Sequence, residues 1–206
     1  MRLSKFHAVV PALAICLALA PQAHAALTIS VDGMSASVPT NTFASFMGSV
    51  GTFNINNVTM TGVDSFGGNG MLVDNGSLNI SSSGTGSLTI VLTETDLNLG
   101  SFGAFTAEFS GMLTNATATR SFYIDPTNSG LLTDLLGSTT TASGTFSRDL
   151  SLSGPFSLTE EIFVTATGRG AILSSDDGIM APEPTSLALL GVGLVGLGMV
   201  GRRRRD

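Results

Sequence analysis

Carboxylates are almost the only side chains of this chain equipped for chemistry. Cys16, Lys5, His7 and His24 are the sole members of their residue types, all lie within the first 25 positions, and tryptophan is absent. Beyond them there is no Ser–His or Cys–His pair, no lysine for a Schiff base, and none of the nitrogen or sulfur ligands that zinc prefers. Three acidic pairs remain. Glu94 and Asp96 share a strand face, Glu160 and Glu161 fall on opposite faces, and Asp176 and Asp177 read as part of a loop. A glycosidase needs two carboxylates at a set separation and commonly uses aromatic platforms for the sugar. This chain offers one tyrosine, Tyr123. Each pair is therefore expected to be a solvated strand face or loop. Asp74-Asn75-Gly76 and Asp176-Asp177-Gly178 could lend oxygens to calcium, but neither has the ligand spacing of a calcium loop. The expectation is no catalytic residue, no metal and no cofactor.

Charge narrows the partners. Between Ala26 and Ala181 three arginines, Arg120, Arg148 and Arg169, stand against 13 acidic residues, a net charge of −10. Such a surface repels nucleic acid, and no nucleic-acid partner is expected.

The elements that carry these residues read as strands. Leu27 to Val31 alternates with period two, and Phe105, Ala107 and Phe109 alternate with Thr106, Glu108 and Ser110. Val50 to Asn54, Val58 to Thr61, Ser77 to Ser81 and Ser87 to Thr93 are further strands, the last two joined as a hairpin. Asp74-Asn75-Gly76 is expected to be a turn, and Leu131 to Leu136 a short helix from its leucine spacing. Ala118, Phe122 and Ile124 line another strand. Arg120 falls on that same face, so it must lie near an edge or be paired. Short strands and frequent turns predict an all-β fold, an antiparallel β-sandwich whose core is built on phenylalanine.

Both ends of the chain have a different composition. Arg2 and Lys5 precede an apolar run from Ala8 to Ala20, followed by Ala23-His24-Ala25. This is the pattern of a secretory signal peptide over residues 1–25, cut so that the mature chain starts at Ala26. The sandwich is expected over 26–175 and a linker over 176–185, holding Pro182-Glu183-Pro184. The apolar run over 186–201 is uncharged, and Arg202, Arg203, Arg204 and Arg205 follow it in a basic tail over 202–206. The prolines hold a stiff, extended spacer, the apolar run partitions into a bilayer as a transmembrane helix, and the arginines stop transfer and stay cytoplasmic. At about 1.5 Å per residue the run spans roughly 24 Å, short of the ~30 Å hydrocarbon core, as suits a temporary anchor. Gly191-Val-Gly-Leu-Val-Gly196 matches a dinucleotide fingerprint but lacks the strand–helix setting that motif requires.

The order Pro182-Glu183-Pro184, glycine-rich apolar run, Arg202 to Arg205 closely resembles the PEP-CTERM sorting signal of Gram-negative bacteria that make exopolysaccharide. The resemblance covers only the C-terminal tail. It implies that an exosortase, a membrane-embedded cysteine protease or transpeptidase, recognises the Pro-Glu-Pro segment while the chain is transiently held in the inner membrane. It implies further that the chain then reaches the cell surface or extracellular matrix and associates with exopolysaccharide in biofilm or floc formation. Two other readings stay open: a carbohydrate- or surface-binding adhesin module, and a carboxylate-dependent glycan hydrolase. Saturable polysaccharide binding would mark the first, and turnover abolished by an Asp or Glu substitution the second.

Overall fold

The computed structural model describes residues 26–39, 42–62, 71–97, 104–149, 152 and 154–180. Within them the chain forms twelve strands: β1 (Ala26–Val31), β2 (Met34–Pro39), β3 (Phe43–Val50), β4 (Phe53–Gly62), β5 (Met71–Ser82), β6 (Gly86–Leu97), β7 (Ala104–Thr114), β8 (Ala116–Asp125), β9 (Asp134–Thr139), β10 (Gly144–Asp149), β11 (Phe156–Ala166) and β12 (Ala171–Met180). They make two six-stranded sheets with every pairing antiparallel. One has the order β2-β1-β6-β11-β8-β9 and the other β10-β7-β12-β5-β4-β3. The fold is all-β and sandwich-like.

Period-two alternation builds the interior. Leu27, Ile29 and Val31 of β1 face Leu88, Ile90 and Leu92 of β6, and Leu158, Ile162 and Val164 of β11 continue that surface; all are buried. The opposite sheet supplies Phe105, Ala107 and Phe109 from β7, Leu173 and Ile179 from β12, and Leu78 and Ile80 from β5. In β4 the buried positions switch parity, from Phe53 and Ile55 to Val58 and Met60. The register shifts between Ile55 and Asn57, so a bulge keeps Asn57 from turning into the core. β1 and β2 meet through Asp32 and Gly33, with φ of 45° and 85°. Positive φ at both central residues is the twist that a two-residue hairpin requires.

Several sequence expectations give way here. Edge strand β9, Asp134–Thr139, takes up the second half of the stretch Leu131 to Leu136 expected to be helical, and Leu131, Leu132 and Leu135 are exposed. The leucine spacing fits a helix face, but pairing of β9 with β8 decides the matter. Ser77–Ser81 and Ser87–Thr93 do not form a hairpin, because β5 and β6 belong to different sheets and the short connection crosses between them. Asp74-Asn75-Gly76 lies inside β5 rather than in a turn. Val50 ends β3, and residues 53–62 form one strand instead of two. Asp176-Asp177-Gly178 is no flexible lead, since β12 runs through it to Met180, past residue 175, between β7 and β5. Phenylalanine is a minority of the core. Phe53, Phe105, Phe109, Phe122 and Phe156 are buried among many more aliphatic side chains, while Phe43 and Phe163 are exposed.

Candidate functional site

Alternation also carries ionisable groups inward. Arg120 sits between Ala118 and Phe122 on the inner face of β8, and Glu160 between Leu158 and Ile162 on that of β11. Asp177 follows Leu173 and Ser175 on the inner face of β12 in the other sheet. Arg120 and Asp177 are fully enclosed, and Arg120 Nε donates to Asp177 Oδ2 at 3.2 Å. The guanidinium thus crosses the sandwich. Its Nη1 donates to the Thr141 carbonyl at 3.3 Å, and its Cζ lies 5.7 Å from the centre of the Phe109 ring. Gly111 leaves the room it needs: a Cβ there would stand 3.2 Å from Arg120 Nη2 and 2.7 Å from the Ser174 carbonyl oxygen. Ser175 Oγ donates to Asp177 Oδ2 at 2.9 Å. Of the two expectations for Arg120, a place near an edge or a partner, the second is met by a partner 57 positions away.

Glu160 completes the cluster. Burial, and then the neighbouring Asp177 carboxylate, push its pKa well above the ordinary 4.5, against the pull of Arg120. Burial also raises Asp177, although Arg120 and the hydrogen bonds from Ser175, Arg120 and Glu160 oppose it. Burial and charge thus both favour the protonated form of Glu160 beside the Asp177 carboxylate. The sign of the pH dependence follows. The folded state holds a proton that the unfolded chain releases near pH 4.5, so stability is full below that pH and falls as pH rises toward the folded value. Glu160→Gln, which keeps a donor but cannot ionise, is expected to flatten that fall. Urea midpoints of the secreted protein from pH 4 to 9 measure it, and parallel curves for variant and parent would contradict the assignment.

Glu94 is buried in the same interior, at the end of β6. Gly62 gives it space, since a Cβ at that position would lie 2.3 Å from Glu94 Oε2. Of the sequence-derived pairs, then, Glu94 and Glu160 point inward and are not solvated, and Asp177 is buried rather than in a loop. Asp96 does not share the Glu94 face: its φ of 58° breaks the alternation, and it exchanges hydrogen bonds with Asn128 at the end of β6. Asp96, Glu161 and Asp176 keep the more open positions expected of them. Among the described residues no group of three or more His, Cys, Asp or Glu side chains is arranged to hold a metal ion.

A second carboxylate organises the turn after β8. Asp125 Oδ1 accepts from Thr127 N at 2.8 Å and Thr127 Oγ1 at 2.6 Å, and its Oδ2 accepts from Ser129 N at 2.8 Å, Ser129 Oγ at 2.5 Å and Leu131 N at 3.4 Å. Burial acts to raise its pKa, but the bonds from Ser129 and Thr127 outweigh it and hold the group well below the usual carboxylate range. On the outer face of the second sheet, a cleft of about 380 Å³ is lined by Glu108, Ser110, Thr145, Asp176 and Gly178 among others.

Arg120, Glu160 and Asp177 are closed to solvent, although Asp177 and Phe109 also back the cleft. Ala26 opens β1, its backbone N–H donating to Thr95 Oγ1 at 3.2 Å, and β12 ends at Met180. Ala23 and Ala25, Pro182, Glu183 and Pro184, and Arg202 to Arg205 lie outside the described residues, as does the apolar run. Among the described residues no helix is long and apolar enough to cross a membrane. Residues 181–205, starting directly after β12, match the PEP-CTERM protein-sorting motif. The chain carries a PEP-CTERM sorting motif. That motif marks an exosortase-sorted protein of the cell envelope or surface.

No curated protein matches the PEP-CTERM chain in sequence. Among solved structures, a mutant of a family 29 carbohydrate-binding module aligns over 75% of this chain and 92% of its own, with 14% identity and a TM-score of 0.31. The enzymatically active domain of bacteriophage CBA120 tailspike protein 4 aligns over 68% of this chain and 19% of its own, with 14% identity and a TM-score of 0.33. A mutant of the module CBM29-2 aligns over 68% and 91%, with 12% identity and a TM-score of 0.28.

Proposed function

We propose that this is a non-enzymatic exported protein, released from a transient inner-membrane anchor and retained in the extracellular matrix, where it contributes to biofilm or floc cohesion with exopolysaccharide. The observation that carries this is the sorting motif at residues 181–205, placed directly after the last strand. Both cuts spare the fold. Cleavage after Ala25 leaves β1 whole from Ala26, and removal of the tail at Pro182-Glu183-Pro184 leaves β12 whole to Met180. Leu187 to Val200 acts as the temporary span, and Arg202 to Arg205 hold its far end in the cytoplasm. Chemistry on a glycan is not part of this role. The burial of Glu94, Glu160 and Asp177 supports this part of the reading.

Processing provides the test. Intact mass and terminal peptides of secreted material are expected to show a chain that starts at Ala26 and lacks Leu187 to Arg205. Substituting Pro182, Glu183 and Pro184 together should leave unprocessed chain in the inner membrane, with secretion of the mature form lost. Ordinary release of that variant would refute recognition of the motif. Deleting the gene should then weaken cell aggregation while polysaccharide synthesis continues.

A further inference from the structure

An antiparallel sandwich has four edge strands, each presenting unpaired N–H and C=O groups to any passing strand. Here they are β2 and β9 in one sheet, β10 and β3 in the other. Three carry the devices that discourage pairing. β2 ends in Pro39, β9 begins with Asp134, and β10 holds Arg148 and Asp149. β3 carries none. Phe43-Ala-Ser-Phe-Met-Gly-Ser-Val50 has no charge and no proline, and its register shift against β4 places the bulge in β4. It alternates cleanly. Ala44, Phe46 and Val50 turn toward the core, while Phe43 and Met47 stand out, 57% and 71% exposed.

We propose that β3 is the edge through which two copies of this chain pair, antiparallel, about a two-fold axis. Charge decides the occupant. The segment 26–181 carries a net −10, so two copies repel wherever their acidic faces meet. Residues 33–63, which include β2, β3 and β4, contain no charged side chain at all. There a like-charged molecule can approach β3 without meeting a carboxylate on β2, β3 or β4. A cationic partner would gain nothing there and would be drawn to Glu108 and Asp176 instead. The symmetry also fits. A two-fold axis normal to the sheet keeps outward positions outward, so Phe43, Ser45, Met47 and Ser49 of one copy lie beside the same residues of the other. Aromatic and thioether groups then cover each other at the seam. Such an isologous contact closes at two copies.

The test uses the secreted protein. Sedimentation is expected to show a dimer that dissociates on dilution, and Met47→Lys and Phe43→Lys are each expected to leave a monomer. Thr145→Lys, on the opposite side of the same sheet, should leave the dimer unchanged. Because both β3 positions are exposed, the lysine variants should keep the unfolding midpoint that the parent shows when diluted to monomer. Disulfide trapping gives a second readout, since the chain from Ala26 onward has no native cysteine. Mixing Ser45→Cys with Met47→Cys protein and oxidising should yield covalent dimers, and Thr145→Cys alone should not. A monomer at every soluble concentration, a dimer indifferent to Met47→Lys, or species larger than a dimer would overturn the proposal.

Discussion

Replacing Arg120 with methionine is expected to remove about 3–5 kcal/mol of folding stability, the usual cost of breaking a buried ion pair by deleting one member. The magnitude comes from what stays behind. Without the guanidinium, Asp177 keeps its place on β12 but loses the 3.2 Å bond from the other sheet, and Glu160 loses the cation that opposes its burial. The Thr141 carbonyl loses its donor as well. Replacing the cluster as a whole should behave differently. Arg120→Met with Glu160→Leu and Asp177→Leu removes every stranded charge, and such exchanges are often neutral or stabilising. Urea unfolding of the secreted proteins would show the single variant far below the parent and the triple variant near it. Equal losses in both would mean that the side-chain volumes matter here and the charges do not.

Asp125→Ala should cost about 2–3 kcal/mol, with the turn after β8 as the first part to loosen. Hydrogen bonds to an ionised group contribute roughly 1.5–3 kcal/mol each, and this carboxylate accepts five. Much of the sum is recovered, because Thr127, Ser129 and Leu131 are exposed and water can replace the lost acceptor. The pH dependence runs opposite to that of Glu160. With the folded-state pKa depressed, the stabilisation is present above the ordinary aspartate value of 3.8 and is lost as pH falls below it toward the folded value. Hydrogen exchange should therefore show Ser129 and Leu131 amides opening in the alanine variant at neutral pH, and in the parent only in strong acid. Unchanged protection in the variant would remove Asp125 as the organiser of the turn.

The strands with strict alternation and one apolar face, β1 and β7, were legible from residues alone. So was the need for Arg120 to find a partner, because an arginine at the parity of Ala118, Phe122 and Ile124 cannot remain alone in a core. The identity of that partner was hidden by local chemistry. Asp-Asp-Gly favours a turn, and only the tertiary position of β12, between two other strands, holds it extended. A usable signal did exist. Asp177 shares parity with Leu173, Ser175 and Ile179, as Glu160 does with Leu158, Ile162 and Val164, and a buried arginine calls for a carboxylate at an apolar position. The β5–β6 connection was misjudged for a different reason. A short link suits a hairpin and a crossing between sheets equally well, and the choice rests on pairings far away in sequence. The sorting motif was fully legible, because its three parts act through composition and order rather than through folding.

The placement of β12 has a mechanical consequence. In the anchored state proposed above, a pull on the tail is applied at the C-terminal end of this strand, and its component along β12 loads that strand first. Antiparallel ladder bonds lie across that axis. They are borne on both sides, by β5 and by β7, along nearly the whole strand. A force in this direction shears the bonds together instead of peeling them one by one, and the Arg120 crosslink shares the load with the opposite sheet. In the proposed anchored state, the domain would thus be held through a strand paired on both sides.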